Sequence, residues 1–376
     1  MLAPTPPMGW NSWNTFGVKI NEALIRETAD AFVETGLKEA GYEYVVLDDG
    51  WMAPERGSKG EFVADPEKFP SGMKALGDYI HSKGLKYGIY SCAGTHTCQK
   101  LPASYGNEEL DARTFASWGV DFLKYDYCYK PPGVDGQALY RKMGQALRTS
   151  GRDIIFSLCN WGADEVWKWG ASTGGHMWRT TGDISDSWES MAKLGFSQAQ
   201  LHSYAGPDRW NDPDMLIVGV SGNSQCIGGD GCTDAEYRTH MTLWCLLASP
   251  LMIGCDVRDM TPETKATLTA PEVLAVDQDP LGRQARSLSA ENHNVQVWTK
   301  PLADGSVAVG LFNKATKGER LATVAWESLG IGIDTEATVR DLWAGADLGV
   351  FRGSFASSIE PHGCRLVKVT PPAPGE

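Results

Sequence analysis

Lys124 and Asp126 stand two positions apart in the run FLKYDYCYKPP, a stretch that otherwise reads as a buried strand. Alternate residues of a strand point to one face, so the ammonium and the carboxylate share a face, with Cys128 next along it. Similar residues recur at the ends of other apolar runs. They are Trp13, Asp48 and Asp49, Tyr90 and Cys92, Cys159 to Trp161, Arg179 and Asp183, and Asp212 with Asp214. A single aspartate after a strand is commonly a helix cap. Six acidic residues gathered with one lysine, one arginine and several tryptophans require another explanation, a polar pocket walled by aromatic rings.

Paired carboxylates on opposite walls of such a pocket suit glycoside hydrolysis, in which one attacks the anomeric carbon and the other protonates the leaving oxygen. The charge of Lys124 is expected to keep Asp126 ionised, as a nucleophile must be. Asp183, after TTG, is expected in a more mobile setting that suits proton exchange.

These residues need elements to bring them together. From the N-terminus to about residue 280, short apolar runs alternate with helical patterns, as repeated βα units do. YEYVVLDDGW, GLKYGIYSCAG, VDFLKYDYC, DIIFSLCNWG, MWRTTGDI and SPLMIGCD are strand candidates, and PPMGWNSW and RWNDPDMLIVG bring the count to eight. Asn21 is placed to cap a helix running to Gly41, Gly84 to stop one begun at Ser71, and Thr233 with Glu236 forms a capping-box pattern. Eight such units predict a (β/α)8 TIM barrel over residues 1–280, with the site at the C-terminal ends of its strands. From 281 to 370 the pattern turns to short strands. NVQVWTK, the Asp304-Gly305 turn signal and SVAVGLFNK read as a hairpin, and ATVRDLWAG and CRLVKVT continue it, predicting a small antiparallel β-sandwich domain. Residues 371–376, PPAPGE after Thr370, resemble the start of a Pro-rich linker to a further C-terminal module.

The net charge of −13 and pI near 5.1 oppose attraction to nucleic acid or anionic lipid. No apolar run reaches the length needed to span a bilayer. Fourteen Trp and twelve Tyr supply flat rings that suit the apolar faces of sugars as well as ordinary cores. Nine Cys leave at least one unpaired. Cys226 and Cys232 bracket the Gly-rich IGGDG, and Cys98 and Cys128 follow two strands; these positions favour disulfides and an oxidising, extracytoplasmic setting over buried free thiols. The start of the chain carries no basic, apolar leader pattern.

Taken together, MGWNSWN, VVLDDGW, KYDYC, CNWG, RTTGDI and WNDPDML are similar in order and spacing to glycoside hydrolase family 27, the α-galactosidases or melibiases. The resemblance implies a retaining exo-glycosidase that releases terminal α-D-galactosyl residues by double displacement without a cofactor, Asp126 matching the nucleophile and Asp183 the acid/base. It implies that Asp48 and Asp49 bind the 4- and 6-hydroxyls of galactose, Lys124 the 3- and 4-hydroxyls and Arg179 the 2-hydroxyl. Trp13, Tyr90, Cys98, Cys159, Trp161 and Asp212 complete the binding set. It also implies a disulfide between Cys98 and Cys128 beside the nucleophile, and galactose-containing oligosaccharides or galactomannan side chains as partners.

Other readings accompany this one. Within the family, Asn160, Trp161 and Ala163 bear on α-N-acetylgalactosaminidase activity: Trp161 would crowd a 2-acetamido group, while the small Ala163 leaves room for it. β-L-Arabinopyranosidase activity is the other neighbour, opposed by Asp49, which is available for the 6-hydroxyl. Outside the family stand a sugar-binding barrel without catalysis and a metal-dependent barrel hydrolase using Asp48, Asp126, Asp183 and Asp214. CAGTHTC, with Cys92, His96 and Cys98, lacks the second ligand pair that a zinc site would need.

Overall fold

The computed structural model describes residues 1–372; of the Pro-rich tail, residues 373–376 lie outside the described residues. Eight strands form one parallel sheet: β1 Met8–Asn11, β2 Tyr44–Val46, β3 Lys86–Cys92, β4 Phe122–Asp126, β5 Ile155–Cys159, β6 Met177–Arg179, β7 Trp210–Asp212 and β8 Leu251–Ile253. They lie in the order β7-β6-β5-β4-β3-β2-β1-β8. The sheet curls until the chain just beyond β7 reaches β8, where Leu216 N–H donates to Met252 O and Gly254 N–H to Leu216 O. All eight strand candidates of the sequence are present.

Helices return the chain from one strand to the next, and their ends follow ordinary capping chemistry. The Asn21 side chain accepts from Leu24 N–H and opens the helix Glu22–Glu34. Gly84, at φ +69°, lies just past the end of the helix Gly72–Ser82 in a left-handed conformation. Thr233 and Glu236 form the reciprocal capping box of the helix Asp234–Leu246. The unit after β5 differs from the rest. Instead of an α-helix it has two 3-10 turns, Ala163–Lys168 and Gly170–Thr173, with Trp161, Asp164 and Glu165 at positive φ.

Strand register divides the barrel interior into levels. Phe122 and Ile155 are paired on β4 and β5, and Met177 and Trp210 on β6 and β7; with Tyr44 and Met252 they belong to one buried apolar cluster inside the barrel. Further along the same faces stand Lys124 and Asp126, Ser157 and Cys159, Arg179, and Asp212, with Asp126 paired to Cys159 and Arg179 to Asp212. The floor is therefore apolar and the C-terminal rim polar. A period of two along short parallel strands is sufficient to make that division.

The second domain holds β9 Arg286–Ser287, β10 Val295–Pro301, β11 Val307–Asn313, β12 Arg320–Ala325, β13 Glu336–Asp341, β14 Ala346–Arg352, β15 Ser354–Ile359 and β16 Cys364–Thr370. Six of them form an antiparallel sheet, β14-β13-β16-β11-β10-β9, and β12 pairs with β15. Val309, Leu311 and Val367 of the larger sheet pack with Val324 and Phe355 of the smaller, giving a sandwich. The helix Asp234–Leu246 joins the two domains. Its Thr239 hydroxyl donates to His362 O, Trp343 Nε1 donates to Thr242, and Lys300 Nζ donates to Cys245 O.

Because this helix bears on both domains, its cap matters to the whole chain. Thr233→Ala is expected to cost about 1 kcal/mol, read as a lower midpoint of urea unfolding; an unchanged midpoint would contradict the capping role.

Candidate functional site

A cleft opens at the C-terminal ends of the strands. It is lined by Trp13, Asp48, Asp49, Tyr90, Cys98, Lys124, Asp126, Cys159, Trp161, Arg179 and Asp183, together with Asn14, Asp214, Met215 and Ile227. Five carboxylates thus face two cations in one cavity, and each cation is already engaged.

Asp126 ends β4 and is almost fully buried. Its Oδ1 accepts the Tyr127 N–H at 2.9 Å and its Oδ2 the Tyr90 hydroxyl at 2.8 Å, with the Cys98 sulfur 3.5 Å away. Burial pushes its carboxyl above the ordinary range, while Lys124, the Tyr127 N–H and the Tyr90 hydroxyl pull it down. Lys124 donates to Asp48 Oδ2 at 2.6 Å, and Asn11 Nδ2 donates to the same oxygen at 2.8 Å. The charge of Lys124 acts on Asp126 in the direction expected, lowering its carboxyl. Lys124 bonds Asp48 and reaches Asp126 only through its field, and burial outweighs that field.

Asp49 accepts the Gly50 and Gln99 N–H groups at 2.8 and 3.0 Å. Burial, aided by the neighbouring Asp48, raises it to about 6. Across the cavity Arg179 donates to Asp183 at 3.0 Å and to Thr181 O at 3.1 Å, and forms an ion pair with Asp214 at 3.0 Å. The Arg179 Nε is buried without a partner. Burial alone would lower the guanidinium, but Asp214, Cys159, Asp183 and Asp212 hold it above its ordinary range. Asp183 stands at the mouth with its side chain 70% exposed, the accessible setting expected of it.

Asp212 is placed differently from the expectation. It lines a smaller cavity beneath the cleft, with Phe122, Met177 and Met252, and its Oδ1 accepts the Asp214 N–H at 2.9 Å. Asp214 is the carboxylate that enters the cleft. Its φ of +95° is a strained conformation for a residue with a side chain, held by bonds from Ile184 and Met215 N–H and by Arg179. Asn160 is also turned away, buried with its Nδ2 bonded to Ala163 O, while Trp161 faces the cavity.

Cys98 and Cys128 form the disulfide, which ties the loop after β3 to the end of β4. Gly94 makes that approach possible, since a Cβ there would meet Cys128 O at 1.9 Å. Cys226 and Cys232 do not pair. The Cys226 sulfur instead lies 2.8 Å from Trp13 O, and Cys232 packs against the barrel core. The Cys92, His96 and Cys98 stretch does not converge, because Cys92 is buried against Cys128 O, His96 is exposed on Tyr129, and Cys98 is in the disulfide. Among the described residues the one cluster of three metal-type donors is Cys98, Asp126 and Cys128, and its sulfurs are bonded to each other. Asn14, Met215 and Ile227 escaped the sequence reading. Asn14 and Met215 sit inside the quoted MGWNSWN and WNDPDML stretches, but nothing in the sequence pointed to Ile227.

Burial, offset in part by Arg179 and reinforced by Asp214, raises Asp212 to about 6. A carboxyl raised on folding contributes stability that is fully present below its unfolded pKa and lost as pH rises through the folded one. Asp212→Asn keeps an acceptor for Asp214 N–H and removes the charge. It is expected to raise Tm at pH 7.5 by roughly 2 °C or more and to leave Tm at pH 3.5 unchanged; equal shifts at both pH values would contradict the assignment.

A family model described as alpha galactosidase A matches residues 5–279, and one described as alpha galactosidase C-terminal beta sandwich domain matches residues 292–369. The alpha-galactosidase of Cyamopsis tetragonoloba is 47% identical over 371 residues, covering 98% of this chain and 87% of its own. The crystal structure of alpha-galactosidase I from Mortierella vinacea superposes with a TM-score of 0.90 at 37% identity, covering 98% and 97% of the two chains. A family 27 β-L-arabinopyranosidase from Geobacillus stearothermophilus superposes at 0.88 with 30% identity, covering 100% and 98%. The chain belongs to glycoside hydrolase family 27, the α-galactosidase family.

Proposed function

We propose that this protein is a retaining exo-α-galactosidase, hydrolysing terminal α-D-galactosyl residues through a covalent glycosyl-enzyme formed on Asp126. The observation that carries the reading is the presence in one cleft of a buried carboxylate, Asp126, and an exposed one at the mouth, Asp183. Tyr90 and the Tyr127 N–H occupy both oxygens of Asp126 and orient the carboxylate for attack on the anomeric carbon. Asp183 delivers its proton to the leaving oxygen, then as a carboxylate takes one from the water that frees the sugar.

Asp48 and Asp49 take the 4- and 6-hydroxyls, Lys124 the 3- and 4-hydroxyls, and Arg179 the 2-hydroxyl, with Asp214 fixing the guanidinium. Galactose carries an axial 4-hydroxyl. An equatorial epimer would leave a desolvated carboxylate without its donor, and loss of such a polar partner discriminates steeply. Asp212 supports this set from below by holding the Asp214 backbone. Trp161 crowds a 2-acetamido substituent, and Asp49 favours a sugar with a 6-hydroxyl over an arabinopyranoside. Galactose-bearing oligosaccharides or galactomannan side chains are the substrates this pocket suits, and the Cys98–Cys128 disulfide supports work in an oxidising, extracytoplasmic compartment.

The experiment compares kcat/KM for p-nitrophenyl α-galactoside, its 2-acetamido analogue and the β-L-arabinopyranoside, with a chelator present. Preference for the first is expected; preference for either analogue would move the activity within the family, and no turnover would leave a sugar-binding barrel.

Asp126→Asn should lower kcat by on the order of 10⁴-fold or more. Asp183→Ala should lose on the order of 10²-fold or more on an oligosaccharide while keeping most of its rate of glycosylation by α-galactosyl fluoride, whose leaving group needs no proton. An Asp126→Asn variant with near wild-type turnover would contradict the assignment. Tyr90→Phe removes one of the bonds that hold the Asp126 carboxyl down. The acid limb of its pH profile should move to higher pH; an unmoved limb would sever Tyr90 from Asp126.

A further inference from the structure

Residues 221–232, SGNSQCIGGDGC, carry no disulfide and no part of the chemistry above, yet their loop reaches the cleft with one side chain, Ile227. The loop follows β7 and is fastened on two sides. Toward the β1 end, the Ser224 hydroxyl donates to Asn14 O at 2.6 Å and the Cys226 sulfur rests on Trp13 O. Toward the β6 end, Asp186 N–H donates to Gly228 O at 2.9 Å and Gly231 N–H to Asp186 O at 3.0 Å. The Asp186 carboxylate accepts Gly222 N–H at 2.7 Å and the Tyr237 hydroxyl at 2.9 Å, and that hydroxyl accepts Ser221 N–H. Gly229 lies so close to Asp186 O that a Cβ there would approach to 2.2 Å.

The loop thus spans the sector of the rim between the β1 and β6 loops, and the β6 loop carries Asp183. Ile227, half-buried in the span, is fixed from both sides, its own N–H donating to the Ser224 hydroxyl at 2.8 Å. Ile227 and Asp183 line the same cleft, and a galactose seated on Asp48, Asp49, Lys124 and Arg179 would present its glycosidic oxygen to Asp183, on the part of the rim that the Ile227 loop borders through Asp186.

We infer that Ile227 is a specificity-determining residue on the leaving-group side, selecting galactose attached to a primary hydroxyl over galactose attached to a secondary one. The inference rests on the α-galactosidase reading. A primary hydroxyl places a methylene between the glycosidic oxygen and the leaving ring, and its extra torsion lets the ring swing clear of a fixed apolar wall. A secondary hydroxyl joins the oxygen directly to a ring carbon, whose neighbouring hydroxyls then lie against Ile227. Desolvating those hydroxyls against an aliphatic side chain forfeits their hydrogen bonds to water.

The test measures kcat/KM for α-1,6-galactobiose, α-1,3-galactobiose and α-galactosyl fluoride, whose leaving group has no body to meet the wall. Wild-type protein is expected to prefer the 1,6 isomer. Ile227→Ala should raise the 1,3 to 1,6 ratio on the order of fivefold, less than a methylene is worth in an enclosed pocket because this wall is half-exposed, and leave the fluoride within twofold of wild type. Ile227→Val should shift the ratio in the same direction by less, which keeps the test available if the alanine variant folds poorly. An unchanged ratio with the fluoride rate intact would overturn the inference, as would parallel loss on all three substrates, which would place Ile227 against the galactose ring. A wild-type protein inert toward all three would overturn the galactosidase reading itself and this inference with it.

Discussion

Five carboxylates can share one cavity only if each finds a cation or a donor, and the whole rim of this barrel is organised by that requirement. Lys124 answers Asp48 directly at 2.6 Å, and Arg179 answers Asp183 and Asp214. Asp49 has two backbone N–H groups, and Asp126 has Tyr90 and the Tyr127 N–H. The compensation is incomplete, since Asp49 and Asp212 are both pushed up to about 6 and Asp126 and Asp214 are raised as well. Incomplete compensation is what a binding pocket needs. The carboxylates retain acceptor capacity that a substrate's hydroxyl groups can fill, and the Arg179 Nε retains a donor without a partner.

The fold meets this requirement cheaply because a parallel barrel delivers side chains in rows. Asp126, Cys159, Arg179 and Asp212 lie in register on four adjacent strands, above an apolar level that closes the floor. Where the strand period cannot supply a residue, the backbone is strained to do so, at Asp214 with φ +95° and at Trp161 with φ +56°. Both residues face the cleft, in keeping with the concentration of such strain at functional sites. The disulfide and Gly94 together hold the loop after β3 against the end of β4, so that Cys98 reaches Asp126.

Much of this was legible in the sequence because it depends on short-range rules. A period of two placed Lys124 and Asp126 on one face, side-chain caps marked Asn21 and Thr233, and parallel strands force their C-terminal ends together. Partners between strands were not legible in the same way. Lys124 pairs with Asp48, 76 residues away, rather than with the carboxylate two residues on. Asp214 rather than Asp212 enters the cleft because a positive φ redirects the chain after β7, and no spacing rule reports such a turn. The Cys226 and Cys232 bracket looked like a disulfide, but the loop between them is tied down by Ser224, Asp186 and Tyr237 instead. Ile227 gave no signal because an apolar residue in a Gly-rich loop gains its meaning only from what the loop spans.

The claim that everything else serves is that Asp126 becomes covalently bonded to the sugar. Incubation with 5-fluoro-α-galactosyl fluoride, which slows release of the intermediate more than its formation, followed by mass spectrometry of the digested protein, reads this directly. The account predicts one added fluorogalactosyl group on the peptide containing Asp126, and none in Asp126→Asn. A label on Asp183 or another residue, or turnover of the reagent by Asp126→Asn, would contradict it.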